Sequence, residues 1–268
     1  LPRYILLRIL FPRGLKPTQI KRYLWGILPV KTHAQHQDIT LVMSVDHPIE
    51  ISRRLFDIAT GSAEYAIAHR LPVLDERVKR KGTCPEVAIW LASGKSFNIW
   101  PGEHYRLLAG IASVLQAKNI IEIGTFWGVG SLALKYGASD SNGRVTTFDI
   151  AKWDSFAGSL LEASDFDERL VQVVEDLTDP AVFARHQALF ESADLIFMDA
   201  DKDGLMERTF LELFSRCNFQ RSPILIIDDI YLWNMLDIWE DIKLPKLDIS
   251  CFGHYTGTGI VKLSSITD

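Results

Sequence analysis

The stretch that decides the fold is IIEIGTFWGVGSLAL, residues 120–134. An apolar, β-branched run reaches an acid, Glu122, and is followed by glycines at Gly124, Gly128 and Gly130 and then by a run of helix formers from Ser131. This order predicts a strand, a tight turn and a helix. Glycines in such a turn let the backbone approach a ligand closely, and the helix start presents free N–H groups. A dinucleotide site would require G-x-G-x-x-G aimed at a pyrophosphate. The spacing here is E-x-G-x-x-x-G-x-G, which argues against a nicotinamide-dependent oxidoreductase.

Outward from this stretch, apolar strands alternate with helical segments. Strands are predicted at 119–124, 144–149, 170–175, 194–199 and 223–228. The face Leu107, Leu108, Ile111, Val114 and Leu115 marks a helix just before the first strand. Such alternation predicts an α/β protein with a doubly wound, mainly parallel sheet covered on both sides by helices. Ligands of such sheets bind beyond the carboxyl ends of the strands. Acids collect there: Glu122, then Asp149, then Glu175 and Asp176, then Asp199 and Asp201 with Lys202, then Asp228 and Asp229. One such acid can serve as a turn or helix cap. Five in series repel one another unless something uses them. Asp199, Asp228 and Asp229 converge if their strands are neighbours, and three hard oxygen ligands suit Mg²⁺ or another divalent cation. The alternative makes Asp228 a helix cap and Asp199 a cofactor contact, with no metal.

Composition bounds the function classes. The 268 residues are 47% hydrophobic and 24% charged, enough for a full core. Cys84, Cys217 and Cys251 form neither a disulfide framework nor a zinc spacing, which fits a cytoplasmic protein. No apolar run has the length of about 20 residues that a membrane span needs, and the opening LPRYILLRILFPRG lacks the cleavage site of a signal peptide. Residues 1–37 carry Arg3, Arg8, Arg13, Lys16, Lys21, Arg22 and Lys31 and no acid, while the chain as a whole has a formal charge of −5. A basic arm on an acidic body is expected to pack on its own domain or on a second subunit, with contact to an anionic membrane surface as the alternative. The acidic body excludes nucleic acid as the natural partner. Residues 48–92 read as mainly helical, with DERVKRKG as a charged separator. The chain is therefore divided into a helical N-terminal extension, 1–95, acting as a cap or dimer contact, and a catalytic domain, 96–268.

The pieces EIGTFWGVGSLAL, VTTFDI, LIFMDADKD and LIIDDI, in this order, resemble the cation-dependent O-methyltransferases, the group that includes the catechol and caffeoyl-coenzyme A enzymes. The resemblance runs from about residue 98 to 263 and implies a class I, Rossmann-like methyltransferase sheet that binds S-adenosyl-L-methionine. It places Glu122, Gly124, Thr125, Gly128, Ser131, Asp149 and Asp176 at the cofactor; the spacing from Gly130 to Asp149 puts Asp149 toward the ribose and Asp176 near the adenine, and Phe126, Trp127 and Asp199 are counted as cofactor contacts from their places at the strand ends. It makes Asp199, Asp228 and Asp229 the metal ligands, with Asp199 and Lys202 catalytic and Lys202 in the place of a general base. Two departures stand out: an Asp229 where the family usually has Asn, and Leu205 where tyrosine is common. The activity expected is methylation of a hydroxyl on a small-molecule acceptor (phenolic, sugar or natural product) by a homo-oligomer, most simply a dimer. The rivals are a metal-independent methyltransferase of the same fold on a sugar, lipid or nitrogen acceptor, and a cofactor-binding subunit without catalysis.

Single residues carry two readings each. Phe126 and Trp127 either wall the cofactor or pack under a neighbouring loop. His104 and Tyr105 either shape the mouth of the site or simply start a helix. His254 and Tyr255 either reach the acceptor or form a hairpin pair. His33, His36, His47, His69 and His186 have no ligand spacing.

Overall fold

The computed structural model describes residues 48–81, 104–252 and 256–264. The basic arm, the segment 82–92, Cys84, His33, His36, His47, His254 and Tyr255 lie outside the described residues. Seven strands form one sheet in the order β3-β2-β1-β4-β5-β7-β6. These are β1 (Asn119–Ile123), β2 (Arg144–Asp149), β3 (Leu170–Val174), β4 (Leu195–Met198), β5 (Ile224–Asp228), β6 (Lys246–Asp248) and β7 (Thr258–Lys262). The first five pair in parallel, and β7 lies antiparallel between β5 and β6. The chain order reverses between β1 and β4, which opens a crevice at their carboxyl ends. β4 and β5 are buried at every residue, as strands covered on both faces must be.

One face of the sheet is covered by α1 (Pro48–Ala68), α2 (Pro72–Lys81), α3 (His104–Val114) and α4 (Val129–Gly137). The other is covered by α5 (Pro180–Glu191), α6 (Leu205–Phe214) and α7 (Met235–Asp241). In α1 the buried residues Leu55, Ile58, Ala59, Ser62, Ala63 and Ala66 recur at helical spacing, so one stripe faces inward. That stripe meets α3 at close range, since a Cβ on Gly110 would come 2.6 Å from the carbonyl oxygen of Ser62. Arg106 of α3, 4% exposed, donates to the carbonyls of Ala66 (2.5 Å) and His69 (3.2 Å). These bonds satisfy acceptors that the end of α1 leaves open. Leu71 and Leu74 carry α2 into the same core as Leu107, Leu108 and Leu134.

Two local devices aim the sheet edge. Asp179 caps α5 by accepting the N–H of Ala181 at 2.8 Å, with Pro180 in the first turn. Before α6, the buried Glu207 accepts the N–H groups of Lys202 (2.8 Å) and Gly204 (3.0 Å), and Asp203 accepts those of Leu205 and Met206. These four bonds fix the turn that carries Asp199 and Lys202.

Candidate active site

The glycine turn and the acid-bearing turns meet at the reversal of strand order. Gly124, at φ 101°, follows β1, and a Cβ there would run into the carbonyl oxygen of Asp199, just past β4. Only glycine permits this approach. Gly128, at φ 77°, ends the turn against the side chain of Leu161, and Gly130 lies against the Glu122 carboxyl.

Asp149 ends β2 and holds the turn open. Its Oδ2 accepts the N–H groups of Thr125 (3.0 Å) and Phe126 (2.9 Å), and its Oδ1 accepts that of Ala151 (2.9 Å). A carboxylate has about four acceptor positions, so capacity for one further donor remains. Beside it, Phe126 is 49% and Ile150 72% exposed. Two large apolar side chains thus stand open next to a carboxylate. Phe126 stacks on Trp127 at 4.4 Å between ring centroids. Trp127 itself packs half-buried against the core.

Glu122 lies beneath the turn, 1% exposed. It is bonded by the Ser131 hydroxyl and by Thr147, which also meets Thr125 Oγ1 at 2.7 Å. Burial pushes its carboxyl up to about 8, against the lowering effect of the two hydroxyls, so Glu122 is neutral at pH 7.

The second half of the site is the set Asp199, Asp228 and Asp229, each offering an oxygen within 4.8 Å of the others. The Lys202 ammonium lies against Asp199, bonds to the Ala200 carbonyl at 3.0 Å and sits 3.8 Å from Asp229. Burial alone would lower the Lys202 pKa, but the three carboxylates outweigh burial and raise it. Asp199 is pushed up to about 6, first by burial and then by Asp228 and Asp229, with Lys202 opposing. The three clustered carboxylates are a donor set that fits a hard divalent cation, and the Lys202 ammonium competes for the same oxygens. Lys202 (φ 67°), Asp229 (φ 57°) and Trp233 (φ 46°) adopt left-handed backbone conformations. Strain of this kind is typical of functional loops.

α3 reaches the same place. His104, 5% exposed, lies 3.7 Å from Asp228 Oδ1 and 3.4 Å from Thr258 Oγ1, joining the acid to β7. Burial, followed by Asp199, Asp228, Asp229 and Glu122, holds the Tyr105 phenol protonated. The start of α3 thus lies beside the three carboxylates.

Asp176 is placed differently from its neighbours. Its Oδ1 accepts the N–H (2.9 Å) and hydroxyl (2.6 Å) of Thr178, a turn-forming arrangement on an exposed residue. Glu175 pairs with Arg185 at 2.7 Å and His186 at 2.5 Å on α5. Sequence reasoning missed Thr147, Glu207, Arg77 and Leu161. Thr147 and Leu161 look like ordinary core residues, and the signal for Glu207 was its position three residues after Gly204, a capping spacing.

The sequence profile of the O-methyltransferase family matches residues 97–245. Among solved structures, the SAH-bound methyltransferase of Podospora anserina is similar over 72% of this chain and 88% of its own, with 18% identity and a TM-score of 0.51. The O-methyltransferase of Bacillus cereus in complex with SAH is similar over 72% and 91%, with 19% identity and a TM-score of 0.47. A methyltransferase of Geobacter sulfurreducens is similar over 72% and 89%, with 20% identity and a TM-score of 0.48. No curated protein sequence matches the chain. Among the described residues, no helix is long and apolar enough to cross a membrane.

Proposed function

This chain belongs to the O-methyltransferase family, and from that premise we propose that it transfers a methyl group from S-adenosyl-L-methionine to a hydroxyl of a small acceptor, with a divalent cation, Mg²⁺ by preference, at Asp199, Asp228 and Asp229. The observation that carries this reading is the contact of Gly124 with Asp199. It brings the glycine turn and the three carboxylates to one crevice, as transfer between two bound partners requires.

S-Adenosylmethionine supplies an activated methyl on a sulfonium, and a divalent cation lowers the pKa of an acceptor hydroxyl it touches. The chain's own residues must bind, align and exclude. Gly124 and Gly128 shape the turn, and Asp149 keeps acceptor capacity for a ribose hydroxyl. Phe126 and Ile150 offer apolar flanks to a planar base. Neutral Glu122 adds no charge beneath the cofactor, so the carboxylate charge is concentrated at Asp199, Asp228 and Asp229. With no ion at the three carboxylates, Lys202 is held as an ammonium, because they oppose loss of its proton. In that form it is a donor to the oxygen on which negative charge develops. His104 of α3 lies beside Asp228. The exposed Leu205, next to this turn, presents an apolar surface to the acceptor.

Titration calorimetry with S-adenosylhomocysteine and with NAD tests the cofactor. Binding of the first and not the second is expected, and the reverse would overturn the reading. One observation favours a second reading, a metal-independent methyltransferase: Lys202 already places a cation among the three carboxylates. Turnover that survives a strong chelator would decide for it.

A further inference from the structure

We infer that Arg77, on α2, is a positioning residue for the glycine turn, acting through Leu160 and Leu161 on Trp127 and Gly128. The inference rests on the reading of that turn as the cofactor site, and it extends the site to a helix outside the segment matched to the family.

Arg77 is 7% exposed. Its guanidinium fork meets both oxygens of Asp165 at 2.7 Å, and Nη1 also donates to the Leu160 carbonyl at 2.8 Å. Asp165, 8% exposed, accepts the N–H of Glu162 at 2.7 Å, while Glu162 meets Arg80 at 2.9 Å and Arg77 at 3.4 Å. Lys135 of α4 donates to the Asp165 carbonyl at 2.7 Å. The segment 160–165 is thereby tied to α2 and to the helix that the glycine turn begins. A planar guanidinium satisfies three acceptors at fixed angles, which the point charge of a lysine cannot do.

The tied segment then holds the turn. The Leu160 N–H donates to the Trp127 carbonyl at 2.8 Å, and the fully buried Leu161 side chain fills the space against Gly128. On the opposite side the turn is held by Asp149. The cofactor turn is thus clamped between a carboxylate on β2 and the pair Leu160–Leu161, and the second jaw is fixed by Arg77. An ion pair that merely docked α2 would need only Asp165. The third bond of Arg77 falls on Leu160, whose N–H holds Trp127. Loss of Arg77 is therefore felt at Thr125 to Gly128, whose own backbone must be shaped before a ligand arrives.

The test compares the full chain with its Arg77→Gln, Arg77→Lys and Leu161→Ala variants by amide hydrogen exchange without ligand and by titration with S-adenosylhomocysteine. In Arg77→Gln, protection at the Leu160 and Gly128 amides should fall about tenfold or more while the β4 and β5 amides stay protected. The dissociation constant for S-adenosylhomocysteine should rise by a similar factor, with Arg77→Lys lying between. Leu161→Ala, which leaves the ion pair intact, should reproduce the loss at Gly128. If Arg77→Gln does not fold, Arg77→Lys and Leu161→Ala decide. Wild-type protection at Leu160 and Gly128 in folded Arg77 variants overturns the inference whatever the ligand does. Failure of the unaltered chain to bind S-adenosylhomocysteine would instead remove the cofactor reading, and the exchange comparison would still decide whether Arg77 shapes the turn.

Discussion

Glu122 and Gly130 touch beneath the glycine turn: a Cβ on Gly130 would run into the Glu122 carboxyl oxygen. The third glycine of the motif is therefore there to make room for a buried acid, which Ser131, one residue on, then bonds. Gly130→Ala should destabilise the fold by about 1–3 kcal/mol, the range for overpacking a filled site. Urea unfolding measures this, and an unchanged midpoint would show that Glu122 can move aside.

The neutral Glu122 also predicts a pH dependence. Its folded pKa, about 8, lies above the ordinary carboxylate value of 4.5. Between these values the folded chain keeps a proton that the unfolded chain releases. The contribution of Glu122 to stability is thus fully present below pH 4.5 and is lost as pH rises toward 8, at up to about 1.4 kcal/mol per pH unit. Glu122→Gln removes the titrating group and should flatten the stability profile between pH 5 and 8. Parallel profiles for the two chains would mean that Glu122 ionises normally.

Asp149 makes the turn, and the proposed function gives it a cofactor hydroxyl to bind as well. Asp149→Ala removes the acceptor for the Thr125, Phe126 and Ala151 amides together with the free acceptor position. Calorimetry should show S-adenosylhomocysteine affinity lowered by about 1.5–3 kcal/mol, the range for hydrogen bonds to a charged group. Unaltered affinity would exclude Asp149 from the cofactor site.

The ammonium of Lys202 among three carboxylates predicts competition with a divalent cation. Lys202→Met should raise Mn²⁺ affinity about tenfold or more while lowering turnover, because removal of a like charge favours the ion and removal of a donor exposes the oxyanion. Asp228→Ala should abolish Mn²⁺ binding and leave S-adenosylhomocysteine binding intact. Mn²⁺ binding that both substitutions leave untouched would exclude this cluster as the metal site.

The N-terminal helices share the core of the sheet domain. A chain beginning at residue 96 would uncover Leu107, Leu108 and Ile111, and Leu74→Ala in the full chain should cost about 2–5 kcal/mol, as for buried leucines elsewhere. A shortened chain that unfolds cooperatively and binds S-adenosylhomocysteine like the full one would show that residues from 96 onward fold without the N-terminal helices.

The strands of the parallel sheet were legible in the residues because buried strands are continuous apolar runs closed by turn-forming acids; their order across the sheet came only with the fold. Each of the five expected strands occurs within a residue or so of its place. The carboxylates Asp199, Asp228 and Asp229 were legible for the same reason: a parallel sheet delivers every strand end to one edge. Glu175 and Asp176 followed the same rule. Their neighbours on α5 and in the turn, Arg185, His186 and Thr178, also bond them locally, and strand-end position does not reveal such contacts.

DERVKRK looked like a solvated charged segment, and its composition alone supports nothing else. Only the packing of α2 against the sheet domain turned one of its arginines, Arg77, inward onto Leu160 and Asp165, residues 83 and 88 positions away in the chain. Periodicity and strand-end chemistry are local properties, written within a few residues, and they determined the fold, the glycine turn and the acids at its edge. Which acids are neutral, which cation sits among them and which helix holds the turn depend on desolvation and on contacts between distant segments. Those arise only when the chain is folded, so the tertiary structure alone decided them.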